Sequence, residues 1–192
     1  MPVDLPEVHA RALDRTHAFV AGISDDRWDD ASVCDGWDVR ALLNHVVSGN
    51  LWVPELVGGR TIEEVGDRLD GDMVGADPVA AYDRTAEVAA AAFREDGAMD
   101  RPVAVSYGPV PGSVYCGHRF IDVLVHGWDL AASTGQDTTL DSELVEACWE
   151  VLEPQRELLA GSGMFGSEVT VAPDADRQTT LLAVLGRRDV RA

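Results

Sequence analysis

The chain has 192 residues, 46% hydrophobic and 26% charged, enough for one domain with a real core and in line with a soluble globular protein. Its 34 acidic residues against 15 basic ones leave a net charge of −19. That field repels nucleic acid and anionic membranes and gives no long-range attraction to multiply anionic substrates, so neither a nucleic-acid nor a membrane partner is expected. No apolar run approaches the roughly 20 residues of a transmembrane span. The opening M-P-V-D-L-P-E-V-H-A-R lacks the basic start and apolar core of a signal peptide. Cys34, Cys116 and Cys148 are too few and too scattered for a disulfide framework, so a cytoplasmic setting with reduced thiols is expected.

In chain order, the first helix is expected from about Leu5 to Gly22. Pro6 suits its first turn, and Leu5, Val8, Ala12, Phe19, Val20 and Ile23 form a stripe of helical period. His9 and His17 lie in it and are read as surface or rim histidines. Ser24 to Trp37 is a loop rich in Asp and Ser. The second helix begins near Trp37 or Asp38 and runs towards Val57 on a core face of Val39, Leu42, Leu43, Val46, Val53 and Leu56. His45 lies beside that face, Pro54 should kink the last turns, and Gly58-Gly59 ends the helix.

A connection with a short helical piece, roughly Ile62 to Leu69, leads to Asp77-Pro78, where Asp caps and Pro takes the first helical position. The alanine-rich third helix follows and is closed by Gly97. Arg101 to Ser113, with three prolines and two glycines, reads as an extended loop with at most one short strand. The fourth helix runs from about Val114 to Ser133. A fifth covers Asp141 to Leu159, Gly161 to Gly166 is a flexible link, Glu168 to Ala172 alternates like a short strand, and Gln178 to Leu185 is a last small helix. The expected fold is all-α in the main: a single domain in which a four-helix bundle (about 1–160) carries a small helix/strand appendage (about 161–192).

The fourth helix carries the chemistry. Ile121, Leu124, Val125 and Trp128 form its apolar stripe, while Asp122, His126 and Asp129 fall on another face at i, i+4 and i+7, with His118 one turn earlier. A carboxylate and a neutral imidazole one turn apart can share one divalent cation. An exposed polar face with an Asp–His ion pair has the same spacing.

Cys34 to His45 (C-D-G-W-D-V-R-A-L-L-N-H) followed by Asp122 to Ala131 (D-V-L-V-H-G-W-D-L-A) resembles the DinB-like metal-binding bundles of actinobacteria. Within them the chain is most similar to the N-terminal domain of mycothiol-dependent maleylpyruvate isomerases and their stand-alone relatives. Phe165 to Val171 and Asp174 to Arg187 fit the stand-alone relatives, so the resemblance spans nearly the whole chain. It implies one divalent metal, zinc first and nickel, iron or manganese as alternatives, held by His45, Asp122 and His126. The isomerase has Glu where this chain has Asp122, so the ion would sit one methylene closer to the helix. Asp129 matches a family Asp and is expected to orient an imidazole or cap the adjoining chain. His118 matches no ligand and is expected to line the pocket or hold substrate.

The resemblance also implies mycothiol, or a thiol like it, as co-substrate. The leading expectation is therefore a metal-dependent thiol transferase or isomerase acting on a small electrophile. A metal-hydroxide hydrolase working without thiol, and a non-catalytic metal or small-ligand binding protein, are the alternatives. His118, Arg119 and Asp129 are the candidate catalytic residues. Arg40 and Arg119 are the cations nearest the motifs, each read as a surface salt-bridge partner before a substrate-carboxylate binder. Cys116 is read as a buried thiol before a nucleophile, and Trp37, Trp52 and Trp128 as packing before pocket wall. Paired bundle faces make a homodimer plausible.

Overall fold

The structure is a computed structural model that describes residues 3–156 and 167–191. Its main compact unit, Asp4–Gln136, holds four long helices. They are α1 (Leu5–Ala21), α2 (Val39–Val57), α4 (Pro78–Phe93) and α5 (Gly112–Ser133), with the single-turn α3 (Ile62–Val65) between α2 and α4. Side-chain oxygens start three of the four long helices. Asp4 accepts from the Glu7 N–H, Asp38 from Ala41 and Asp77 from Ala80, each satisfying a first-turn donor that the helix leaves over. Pro54 lies inside α2, which runs on to Val57 and is capped at Gly58. The short helix stops at Val65 and not near Leu69, because Gly66 takes φ = 62° and turns the chain away.

In the bundle α1 packs on α5 and α4, and α2 packs on α4 and α5. Gly127 lets α1 and α5 approach closely: a Cβ there would overlap the Thr16 side chain, whose hydroxyl donates to the Val123 carbonyl at 3.2 Å. The segment expected to hold at most one strand forms a hairpin of two, β1 (Pro102–Val105) and β2 (Gly108–Pro111), antiparallel with Val103 opposite Val110. Ser106 and Tyr107 make the turn, and Gly108, the first residue of β2, leaves it at φ = 114°. Val103 is fully buried, so one face of the hairpin joins a core cluster with Val53, Phe93, Tyr115 and Cys116.

His9 is not a surface or rim residue. It is fully buried in edge-to-face contact with Phe93, ring centroids 5.0 Å apart. It shares a helix face with Leu13, Thr16 and Val20, all buried, and that face is wider than the apolar stripe alone suggests. His17 is exposed and bonds Asp83 at 2.6 Å.

A second compact unit takes in the chain from Asp137 onward. It contains α6 (Ser142–Leu152), continued by a 3₁₀ turn over Glu153–Gln155, and α7 (Arg177–Val184). Arg177 grips both carboxylate oxygens of Glu146 at 2.9 Å, and its carbonyl accepts from the Trp149 indole, which ties α6 to α7. The fifth helix thus groups with the C-terminal helix. Its expected end at Leu159, the Gly161–Gly166 link and the start of the Phe165 motif lie outside the described residues. Glu168 to Ala172 forms no strand: the Val169 N–H donates to Ala183 at the end of α7, and among the described residues no neighbouring strand completes a ladder. No helix among the described residues is long and apolar enough to cross a membrane.

Candidate metal centre

Two helices supply the site. His45 stands in the second turn of α2, and Asp122 and His126 stand one turn apart in the middle of α5. Asp122 Oδ1 lies 3.3 Å from His45 Nε2 and 3.6 Å from His126 Nε2. One donor atom from each residue lies within 4.8 Å of the other two. Ligand atoms about 2.0–2.1 Å from a tetrahedral zinc are themselves about 3.3 Å apart, so the two contacts to Oδ1 match the edges of such a polyhedron. The donor set, two imidazole nitrogens and one carboxylate oxygen, suits a borderline divalent cation. His126 is buried, whereas the His45 side chain is 38% exposed, so the site opens towards solvent on the α2 side.

The surroundings orient these donors. His126 Nδ1 donates to Asp129 Oδ2 at 2.9 Å. Because a carboxylate only accepts, that bond puts the proton on Nδ1 and leaves the Nε2 lone pair towards Asp122 and His45. Asp129 is fully buried, and its Oδ2 also accepts from the Cys34 thiol at 3.3 Å. Cys34, His126 and Asp129 make a second group of donors within 4.8 Å, back to back with the first. The Trp37 ring stands 5.0 Å from the His45 ring and 6.2 Å from that of His126. It is exposed and wall-like, held by the Cys34–Trp37 turn and by the Ser32 hydroxyl donating to the Trp37 carbonyl.

Arg119 is not a surface salt-bridge partner. It is buried, donating from Nη1 to Asp122 Oδ2 at 2.8 Å and from Nη2 to Asn50 Oδ1 at 3.2 Å. Burial works against an ionised Asp122, but Arg119 foremost, then His126 and His45, holds its carboxyl well below the usual carboxylate range. Arg40 does lie at the surface, paired with Asp72 at 2.8 Å.

His118, one turn before Asp122, meets the hairpin: its Nδ1 bonds the Tyr107 hydroxyl at 2.5 Å. Cys116 is fully buried and its thiol is pushed up to about 12 by desolvation, which suits packing and not nucleophilic attack. Trp128 is buried in the core and Trp52 packs against the apolar cluster, so of the three tryptophans Trp37 stands at the site. Cys34, Gly49, Asn50 and Tyr107 also border the site, beyond the residues to which the sequence motifs point. Cys34 opens the His45 motif and Asn50 lies five residues beyond it, but nothing local signals that either turns towards α5.

The mycothiol maleylpyruvate isomerase N-terminal domain family matches residues 9–131, which carry every residue of this site. The chain belongs to this family. Uncharacterised proteins from two strains of Mycobacterium tuberculosis are each 38% identical to it over 184 residues, 93% of this chain and 95% of theirs. A crystal structure of a histidine-to-alanine mutant of mycothiol-dependent maleylpyruvate isomerase superposes with a TM-score of 0.64 at 15% identity. That match covers 80% of this chain and 68% of the other, and it shows that this member of the isomerase N-terminal domain family shares the helical fold.

Proposed function

We propose that this family member binds one divalent cation, zinc first among the candidates, through His45, Asp122 and His126. We further propose that it uses the ion to react a low-molecular-weight thiol of the mycothiol type with a small electrophile, as a transferase or isomerase. The observation that carries the reading is the convergence of three donors from helices far apart in the chain, at the spacing of a metal polyhedron and open to solvent beside His45. A cation there has coordination positions left for an outside ligand and favours the deprotonated form of a thiol.

The chain's own residues do the rest. Asp129 keeps the His126 proton on Nδ1, so Nε2 stays a donor. Arg119 keeps Asp122 ionised and in place. Trp37 walls one side of the imidazoles and limits the approach to the His45 edge. His118, coupled to the Tyr107 hydroxyl, sits one helical turn before Asp122 and is the residue we assign to holding substrate. The family match supports the thiol.

The test is elemental analysis of protein purified without a chelating tag, beside His126→Ala, followed by turnover of a conjugated electrophile with and without thiol. The proposal expects stoichiometric metal that is lost in the variant, and turnover only with thiol. Full metal retention by His126→Ala overturns the ligand set. Turnover without thiol turns the reading to a hydrolase, and tight electrophile binding without turnover turns it to a binding protein.

A further inference from the structure

We infer that Gly49 and Asn50 are positioning residues for this centre: they seat the Arg119 guanidinium, which claims Oδ2 of Asp122 and leaves Oδ1 alone to bind the cation. The inference rests on the metal reading above. Gly49 lies in the interior of α2, where glycine is a poorer helix residue than alanine. The structure gives a reason for it. A Cβ at position 49 would lie 2.7 Å from both Cζ and Nη2 of Arg119 and closer still to Nη1, so the guanidinium occupies the space that any other side chain would fill. The obstacle is the charged head itself, and moving it means moving its bond to Asp122.

Asn50, the next residue, is fully buried and fixes the other end of the fork through its Oδ1. The cradle is not built to satisfy every polar atom. Arg119 Nε and Asn50 Nδ2 have no protein partner among the described residues. An apolar residue in place of such a buried charge is often better for stability, so an arginine at position 119 is better explained by what it does to Asp122 than by folding. With Oδ2 engaged by Arg119, Oδ1 is the oxygen that faces both imidazoles. The carboxylate is then a one-oxygen ligand, and coordination positions stay open for an outside ligand.

The experiment compares metal-free wild-type protein with Gly49→Ala, Asn50→Ala, Arg119→Met and the double variant Gly49→Ala/Arg119→Met. Zn²⁺ affinity is read by competition with a chromophoric chelator, Co²⁺ by its visible absorption, and folding by circular dichroism. Gly49→Ala should weaken Zn²⁺ binding about 10- to 100-fold, the range for groups that orient a metal ligand, and Asn50→Ala should weaken it less. The double variant should bind no more weakly than Arg119→Met, because the added methyl acts only through the arginine. Co²⁺ bands should lose intensity in Gly49→Ala and Arg119→Met as the second carboxylate oxygen becomes able to raise the coordination number. A folded Gly49→Ala with wild-type affinity and spectrum, or a double variant whose losses multiply, overturns the cradle. If Gly49→Ala does not fold, an Asn50→Ala that matches wild type in affinity and spectrum overturns it. Failure of the wild-type protein to take up Zn²⁺ overturns the metal centre itself and the inference with it.

Discussion

His9→Leu tests the burial of the first helix most directly. The His9 imidazole, with an ordinary value of 6.5, is pushed down to about 3, by burial first and then by Arg119 and Arg94. The unfolded chain therefore takes up the proton before the folded one does. The stability that depends on a neutral His9 is complete above 6.5 and is lost progressively as pH falls towards about 3. At 1.36 kcal/mol per pKa unit, lowering the pH from 7 to 5 protonates unfolded His9 almost completely and leaves the folded form neutral, a loss of about 2 kcal/mol. Leucine has no such linkage. The assay is urea unfolding of metal-free protein at several pH values between 7 and 5, followed by tryptophan fluorescence. The wild type should lose about 2 kcal/mol more than His9→Leu over that interval. Parallel pH dependences in the two proteins would refute the buried, neutral imidazole and the helix orientation that produces it.

Three further outcomes concern the site. Asp129→Asn replaces the acceptor of the His126 Nδ1 proton with a weaker one and should cut Zn²⁺ affinity about 10-fold or more in chelator competition; unchanged affinity would remove the orienting role. Trp37→Phe should abolish most of the fluorescence quenching that Ni²⁺ or Co²⁺ produces in the wild type, since the Trp37 ring stands 5.0 Å from that of His45; equal quenching would place the ion elsewhere. Bound metal should be released as pH falls, because protons compete with the ion for the donor atoms of His45, Asp122 and His126. Elemental analysis after dialysis at a series of pH values reads the release, and occupancy that does not change down to acid pH would contradict ligation by these side chains.

Local information was enough for the helices and for half of the site. The Asp77 cap, the alanine-rich run of α4 and the apolar stripes of α1, α2 and α5 are written in residue spacing, and each of these helices forms where the sequence places it. The column Asp122, His126 and Asp129 follows from 3.6 residues per turn, so the Asp129–His126 bond is available to any helix with this sequence. The strand expected over Glu168 to Ala172 had the right alternation, but a strand needs a neighbour, and alternation says nothing about whether one is there. The hairpin at Pro102–Pro111 has its neighbour, and it formed in a segment whose prolines and glycines read as loop.

Tertiary packing decided the other half. A helix spacing of three or four residues tells which side chains share a face, but not how far that face is rotated into its neighbours. His9 and Arg119 therefore read as surface groups and are both buried, the first against Phe93 and the second against Gly49 and Asn50. Cys116, read from the sequence as a buried thiol before a nucleophile, is fully buried. His45 comes to within 3.3 Å of Asp122 across 77 residues of sequence only because α2 and α5 pack side by side. The chain's own order thus determined which donors exist and how they are spaced along each helix. Their meeting at one point depends on interhelical distance and rotation, which arise from the summed burial of whole faces and are encoded at no single position.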